Sequence, residues 1–274
     1  MKYILKKIYS LIPLKSKLYN IVKKIWIPNR FYKHLYFNEL FTIKVNDNKK
    51  FKIYGGNGIE NEIYWKGLTE NNQKESIRIW MELCKYSDCI FDIGANTGFY
   101  TLIAKSINPS SRIYAFEPQS SFFRILKKNI NINNYDIKLY NMVVSNSDDN
   151  ISFINHSKSN NFFFTKSVKL DTFIEKNHIT KIDLLKIDLE GLEYLILEGF
   201  LKHISHFRPT FLIKILDDNV SKLIYESINR YDYLYFSIDE RGTIKKMKNI
   251  ELNISVSYHY LLCNSEIAIK LGLL

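Results

Sequence analysis

Short apolar runs that stop at glycine or at charge alternate with longer stretches of helical spacing, and this rhythm predicts an α/β fold. The clearest unit covers residues 90–118. Ile90-Phe91-Asp92-Ile93 is an apolar run halted by Gly94, as in a strand buried on both faces. Phe99, Leu102, Ile103 and Ile107 follow at helical spacing, and Arg112–Phe116 reads as a second strand with Glu117 at its carboxyl end. Further strands are predicted over 137–144, 182–189, 210–216, 233–238 and 258–263. Helices are predicted over 72–86, from Phe122 to Asn133, from Leu170 with Asp171 as N-cap, over 192–199 and over 220–231. Residues 41–44 and 49–54 read as a hairpin around Asn46-Asp47-Asn48, and 55–69 as a loop. The polar stretch 147–161 reads as a loop with a short hairpin at 151–154. Arg241-Gly242 is the expected turn between the last two strands, with 243–257 a long excursion.

Ahead of this lies a different pattern. Ile4, Ile8, Leu11 and Ile12, then Leu18, Ile21, Val22 and Ile25, recur at helical spacing, broken by Pro13 and ended by Pro28. Two short amphipathic helices are predicted. They are basic: nine Lys and Arg precede the first acid, Glu39, in a chain of net charge +11. Such an arm suits an anionic membrane surface through residues 1–33, or packs on the domain as a cap; nucleic acid ranks below both. The expected division is a basic extension at 1–38, a hairpin, loop and helix at 39–86, and the main domain at 87–274. No run of about 18 apolar residues suggests a membrane span. The lysines interrupt the N-terminus too often for a secretory segment, so the expected location is cytoplasmic, with the arm able to meet the inner face of the membrane. Cys84, Cys89 and Cys263 have no metal spacing and read as buried thiols of a reducing compartment.

The chemistry centres on the turn Gly94-Ala95-Asn96-Thr97-Gly98, whose small bulk lets a ligand lie against the backbone. A strand–turn–helix unit aims backbone N–H groups and the positive helix end at the crevice. Glu117, at the end of the next strand, can accept ribose hydroxyls, so a nucleoside-like cofactor is expected. Gly94-x-x-x-Gly98 is not the dinucleotide fingerprint G-x-G-x-x-G. Asp92 beside the turn disfavours a pyrophosphate and favours a cationic ligand, which points to S-adenosyl-L-methionine over NAD. Lys186, Asp188 and Glu190 alternate at a strand end and so share one side of the chain. Charges there need pairing or a function. Asp188 is the candidate to accept or orient an acceptor proton. Glu190 reads as a helix-start carboxylate or a substrate contact. Tyr64 and Trp65, beside Glu60 and Glu62, suit a sugar-binding wall or plain packing. His156 reads as substrate-facing or as part of a solvated loop. No metal is assigned, although Asp188 and Glu190 could share a divalent ion with substrate.

DIGANTG at 92–98, FEP at 116–118 and KIDLEGLE at 186–193, in this order, resemble the FkbM family of S-adenosylmethionine-dependent methyltransferases. The resemblance extends over roughly residues 51–262. It implies a Rossmann-like class I methyltransferase sheet, mostly parallel with an antiparallel last strand and helices on both faces. It also implies that Asp92, Gly94, Asn96 and Gly98 frame the methionine end, that Glu117 binds the ribose, and that the backbone at Val144 borders the adenine. The activity implied is O-methylation of a sugar hydroxyl in a glycan or natural product, with Asp188 facing the methyl group. Lys214 departs from the pattern, which usually carries an acid nearby. Two other classes stay open: a non-catalytic membrane- or nucleic-acid-bound module using the basic arm, and an NAD-binding oxidoreductase.

Overall fold

The structure is a computed structural model and describes residues 37–56, 58–155, 161–250 and 258–274. The basic arm with its two expected helices, and His156, lie outside the described residues.

The chain opens with a hairpin: β1 (Leu40–Lys44) pairs antiparallel with β2 (Lys50–Tyr54). Ile43, Phe51 and Ile53 point inward while the lysines between them point out. A helix, α1 (Gly58–Lys66), then stands where the sequence suggested a loop. Its inward side carries Glu60 and Asn61 beside Ile63 and Tyr64, so no apolar stripe marks it in the sequence. Both polar side chains have a partner inside: Asn61 accepts the Phe37 N–H at 3.0 Å and one oxygen of Glu60 accepts the Thr97 hydroxyl. Next come α2 (Lys74–Lys85), which buries Ile77, Trp80 and Cys84, then β3 (Cys89–Ile93), α3 (Phe99–Ile107), β4 (Arg112–Phe116) and α4 (Ser120–Ile132), all close to expectation.

The single strand expected over 137–144 is two strands in different sheets, β5 (Lys138–Tyr140) and β6 (Val143–Ser145). The break falls at Asn141, whose side-chain amide donates to the carbonyls of Glu117 and Pro118 at 2.8 and 3.0 Å. β7 (Asn150–Asn155) and β8 (Asn161–Lys169) form a longer hairpin than predicted, and β8 also pairs with β6. α5 (Leu170–Lys176) has Lys169 at its N-cap; Asp171 sits in the first turn and instead accepts the N–H groups of Lys202 and His203 at 2.9 and 3.2 Å. The chain continues through β9 (Leu184–Ile187), α6 (Glu193–Glu198), α7 (Ile204–Phe207), β10 (Thr210–Lys214) and α8 (Asp218–Ile228). It ends with β11 (Leu234–Asp239), β12 (Thr243–Met247), β13 (His259–Cys263) and α9 (Ser265–Lys270). Arg241-Gly242 therefore closes a β11–β12 hairpin and does not join β11 to β13. β12 lacks a buried residue, and Lys245-Lys246 breaks its alternation, which is why it escaped notice.

The large sheet has the order β12-β11-β13-β10-β9-β3-β4-β5. β5, β4, β3, β9 and β10 are parallel, and β13 runs against them. This is the class I methyltransferase arrangement, extended by β12 at one edge. The central strands β3, β4, β9, β10 and β13 bury both faces. Ile90, Ile113, Leu184 and Leu212 meet Trp80, Leu102, Ile103 and Leu126 from α2, α3 and α4. Phe91, Phe116, Leu185 and Phe211 meet Phe173, Ile196, Leu197 and Ile224 from α5, α6 and α8. The sandwich fixes the carboxyl ends of β3, β4, β9 and β10 side by side, where ligands bind in open α/β sheets.

Candidate active site

A cavity of about 390 Å³ opens at those strand ends. Its floor is the turn after β3. The N–H groups of Gly94 and Ala95 both donate to the Phe116 carbonyl, at 3.0 and 2.9 Å, and tie the turn to the end of β4. Gly94 has φ +84°, and a Cβ there would lie 2.0 Å from the Asp188 carbonyl oxygen, so glycine is required by conformation and by space. From behind, Asn129 of α4 donates to the Thr97 carbonyl at 2.8 Å. Gly58, Ile59 and Gln73, from the segment ahead of the core, close one wall.

Four carboxylates line this cavity: Glu190 is exposed at its rim, and Glu117, Asp92 and Asp188 lie deeper. Glu117 is 5% exposed and accepts the N–H groups of Asn96 and Gln119, each at 2.8 Å. Burial pushes its pKa up to about 7, against the pull of those two hydrogen bonds. Asp92 is fully buried; one oxygen accepts the Thr101 hydroxyl at 2.5 Å, and the other meets no hydrogen-bond donor among the described residues. Burial raises its pKa too, countered chiefly by the Lys186 ammonium. Asp188 is 24% exposed and lies between two lysines, 3.4 Å from Lys186 Nζ and 3.1 Å from Lys214 Nζ. Burial works to raise its pKa, but Lys186, Lys214 and His259 outweigh it and hold the carboxyl below its ordinary range. Asp188 is therefore an ionised, pinned carboxylate.

The strand registers explain this assembly. Asp92 of β3 lies opposite Lys186 of β9, and both point toward α3, where Lys186 also sits 4.4 Å above the Tyr100 ring. One pleat further on, Gly94, Asp188, Lys214 and His259 continue the row. The row ends at Glu240, which pairs with His259 Nδ1 at 3.2 Å and accepts the Ser76 hydroxyl at 2.6 Å and the Glu75 N–H at 2.8 Å. Tyr100 and Gln73, bonded at 2.9 Å, line the cavity beside it.

Of the residues singled out from the sequence, Asp92, Gly94, Asn96, Glu117, Asp188 and Glu190 line this one cavity. Gly98, at φ +93°, lies outside the lining and faces Leu126 of α4. Val144 is fully buried in β6, outside the lining. Tyr64 stacks on Phe37 at 3.9 Å, with Trp65 edge-on at 5.1 Å, in a cluster that is also outside it. Glu190 is exposed at φ +53°; the helix-start carboxylate is Glu193, which accepts the N–H groups of Leu189 and Gly191 at 3.0 and 3.1 Å. Gln73 and Tyr100 gave no signal beyond an ordinary helix. A second hollow, about 460 Å³, opens at the amino ends of β4 and β5; it has Asp136 as its one carboxylate and none of these residues.

Residues 92–235, more than half of the 274, match the Methyltransferase FkbM domain. The chain belongs to the FkbM methyltransferase family. The match starts at Asp92 and takes in the turn, Glu117, Asp188 and Lys214. Family and topology together make the protein an S-adenosylmethionine-dependent methyltransferase of class I type. Among its relatives, the hexuronic acid methyltransferase AglP of Haloferax volcanii is 23% identical over 200 residues, 69% of this chain and 82% of that one. The solved methyltransferase FkbM of Methylobacillus flagellatus KT aligns with TM-score 0.42 and 16% identity, over 64% of this chain and 43% of that one. The SAM-dependent methyltransferase of Agrobacterium tumefaciens gives TM-score 0.48 and 8% identity, over 82% and 70%.

Proposed function

We propose that the protein methylates a hydroxyl of a sugar, in a glycan or natural product, with S-adenosylmethionine held by the turn after β3 and by Glu117. The observation that carries this reading is the convergence of Asp92, Glu117 and Asp188 on one cavity beside a glycine turn. The residues fit the cofactor. The second Asp92 oxygen is buried, and leaving it unbonded costs about 1–3 kcal/mol, which a ligand ammonium relieves. Glu117 has spare lone pairs for ribose hydroxyls after serving two N–H groups. Hexuronic acid in the name of the relative at 23% identity supports a sugar acceptor.

S-adenosylmethionine supplies a methyl carbon already activated by its sulfonium. The protein's task is alignment and exclusion of water. Asp188, pinned by Lys186 and Lys214, accepts a hydrogen bond from the acceptor hydroxyl and so turns an oxygen lone pair toward the methyl carbon. A carboxylate held so firmly ionised is a weak base. It takes the proton late, after the new C–O bond has made that proton acidic, while the C–S electron pair returns to sulfur. Calorimetry with S-adenosylmethionine tests the cofactor site: no binding, or undiminished binding by Glu117→Ala, removes it. Labelled methyl transfer into sugar-bearing fractions tests the acceptor, and label only in protein or nucleic acid rejects it.

A further inference from the structure

Two lysines are buried among the described residues, Lys105 and Lys186. A buried ammonium needs an anion or a full set of acceptors. Lys186 has its anion, Asp188 at 3.4 Å. Lys105, in the last turn of α3, has none. Its ammonium donates once, to the Ser111 carbonyl at 2.8 Å, and forms no ion pair among the described residues. An ammonium carries three N–H donors, so two are left over. Burial holds the Lys105 pKa below its ordinary value, with Asp136 pulling the other way. Exposed lysines such as Lys169, Lys222 and Lys245 make no such demand, because water solvates their charge.

Lys105 lines the hollow of about 460 Å³ at the amino ends of β4 and β5, and unused donors converge on it from separate elements. Arg112 opens β4 and Lys138 opens β5; neither forms an ion pair among the described residues. Lys138 stands beside Tyr114 in the parallel register, its Nζ 5.1 Å from the centre of that ring. The hydroxyls of Tyr114 and Tyr135, which also line the hollow, make no hydrogen bond among the described residues. Three cations against Asp136 leave two positive charges. A phosphate monoester brings about 1.5 to 2 negative charges at pH 7 and three acceptor oxygens, two of which match an arginine fork. The volume is that of a small-molecule site, more than a phosphate group fills. Asp136 repels phosphate but accepts from hydroxyls, which suits a polyhydroxylated remainder. We propose that this hollow binds a sugar phosphate monoester, with Lys105 and Arg112 on the phosphate and Asp136 on sugar hydroxyls. β4 leads from Arg112 here to Glu117 at the other end of the sheet, about 16 Å along the strand, and the two cavities share no residue. The proposal therefore stands apart from the methyl-acceptor reading.

Calorimetry of the full chain with glucose 1-phosphate and glucose 6-phosphate tests this without methyl transfer, so the two readings can fail separately. At least one ester is expected to bind more tightly than inorganic phosphate or glucose, and to bind less tightly as salt rises. Lys105→Met and Arg112→Gln each remove a charge-assisted contact and should weaken that binding about tenfold or more. A thermal melt reports the fold of each variant. Arg112 is exposed, so Arg112→Gln carries the test should Lys105→Met not fold. Affinity for S-adenosylmethionine should be the same in both variants as in the parent chain. Four results would each overturn the proposal: neither ester binding at millimolar concentration, inorganic phosphate or glucose binding as tightly as the esters, undiminished ester binding by the folded variants, or a parallel loss of S-adenosylmethionine affinity that puts the ester in the other cavity.

Discussion

Glu117 shows how a single residue can be tuned by where it is buried. Its ordinary pKa of 4.5 is raised to about 7 because desolvation and the nearby Asp92 and Asp188 oppose its charge. If Glu117 holds the ribose as proposed, only its ionised form accepts from both hydroxyls. Affinity for S-adenosylmethionine should therefore be full above about pH 7 and fall as the pH drops through that value. Glu117→Gln should weaken binding roughly 10–100-fold, the worth of one charge-assisted hydrogen bond or more, and flatten that pH dependence. A titration of dissociation constant against pH decides, and an unchanged slope in the variant counts against the assignment. Gly94 gives a second test. Alanine there meets the Asp188 carbonyl and a positive φ, so Gly94→Ala should cost more than about 1 kcal/mol in a denaturant melt and move Asp188 as well. That Gly94, Glu117 and Asp188 share one cavity was legible because each lies at a strand end next to a glycine or in a compact motif. Glu193 was not. Glu190 was the nearer acid in sequence, and only its left-handed backbone, which turns the side chain outward, hands the helix start to Glu193.

At the scale of elements, the wall of the cavity depends on how α2 is held to the sheet. Glu240, at the end of β11, receives the α2 N-terminal amides, the Ser76 hydroxyl and the His259 ring. Burial would raise its pKa, but His259 and Ser76 outweigh this and hold the carboxyl below its ordinary 4.5. A lowered folded pKa means the contribution to stability is complete above pH 4.5 and lost as the pH falls beneath it. Glu240→Ala should cost about 3 kcal/mol, since it removes a cap and unpairs a mostly buried ring. Gln73 and Tyr100 then lose their anchorage, so methyl transfer should fall more than cofactor affinity does. Equal falls in turnover and affinity would reduce Glu240 to a scaffold residue. None of this hub is visible in the sequence, because it joins residues 76, 240 and 259 through pairing that only the fold creates. The same cause hid α1, whose inward side is polar because Phe37 and Thr97 arrive from elsewhere to satisfy it. The core strands were legible for the opposite reason: burial on both faces leaves a nearly continuous apolar run, interrupted only by site charges such as Asp92 and Lys186.

At the scale of the whole molecule, the sheet separates two apolar layers, and the cavity exists only while both are intact. The three thiols report on them. Cys89 of β3 belongs to one layer; Cys84 of α2 and Cys263 of β13 belong to the other. All three are free and fully buried. Burial pushes Cys89 up to about 11, Cys263 up to about 12, and Cys84 well above its ordinary value. A thiol reagent needs both access and thiolate, so the native protein should label very slowly at neutral pH. If the layers open as one unit, all three cysteines label at a single rate set by global unfolding. Saturating S-adenosylmethionine binds only the folded form; at about a hundred times its dissociation constant it should slow all three by about a hundredfold. Mass spectrometry of partly labelled protein distinguishes the cases. Molecules carrying none or all three labels mean one cooperative unit spanning both sides of the sheet. An early population labelled at Cys84 and Cys263 alone would mean that the α2 side opens first. The ligand would then protect those two thiols through the Gln73 and Tyr100 wall, leaving Cys89 to follow the slower unfolding of the rest.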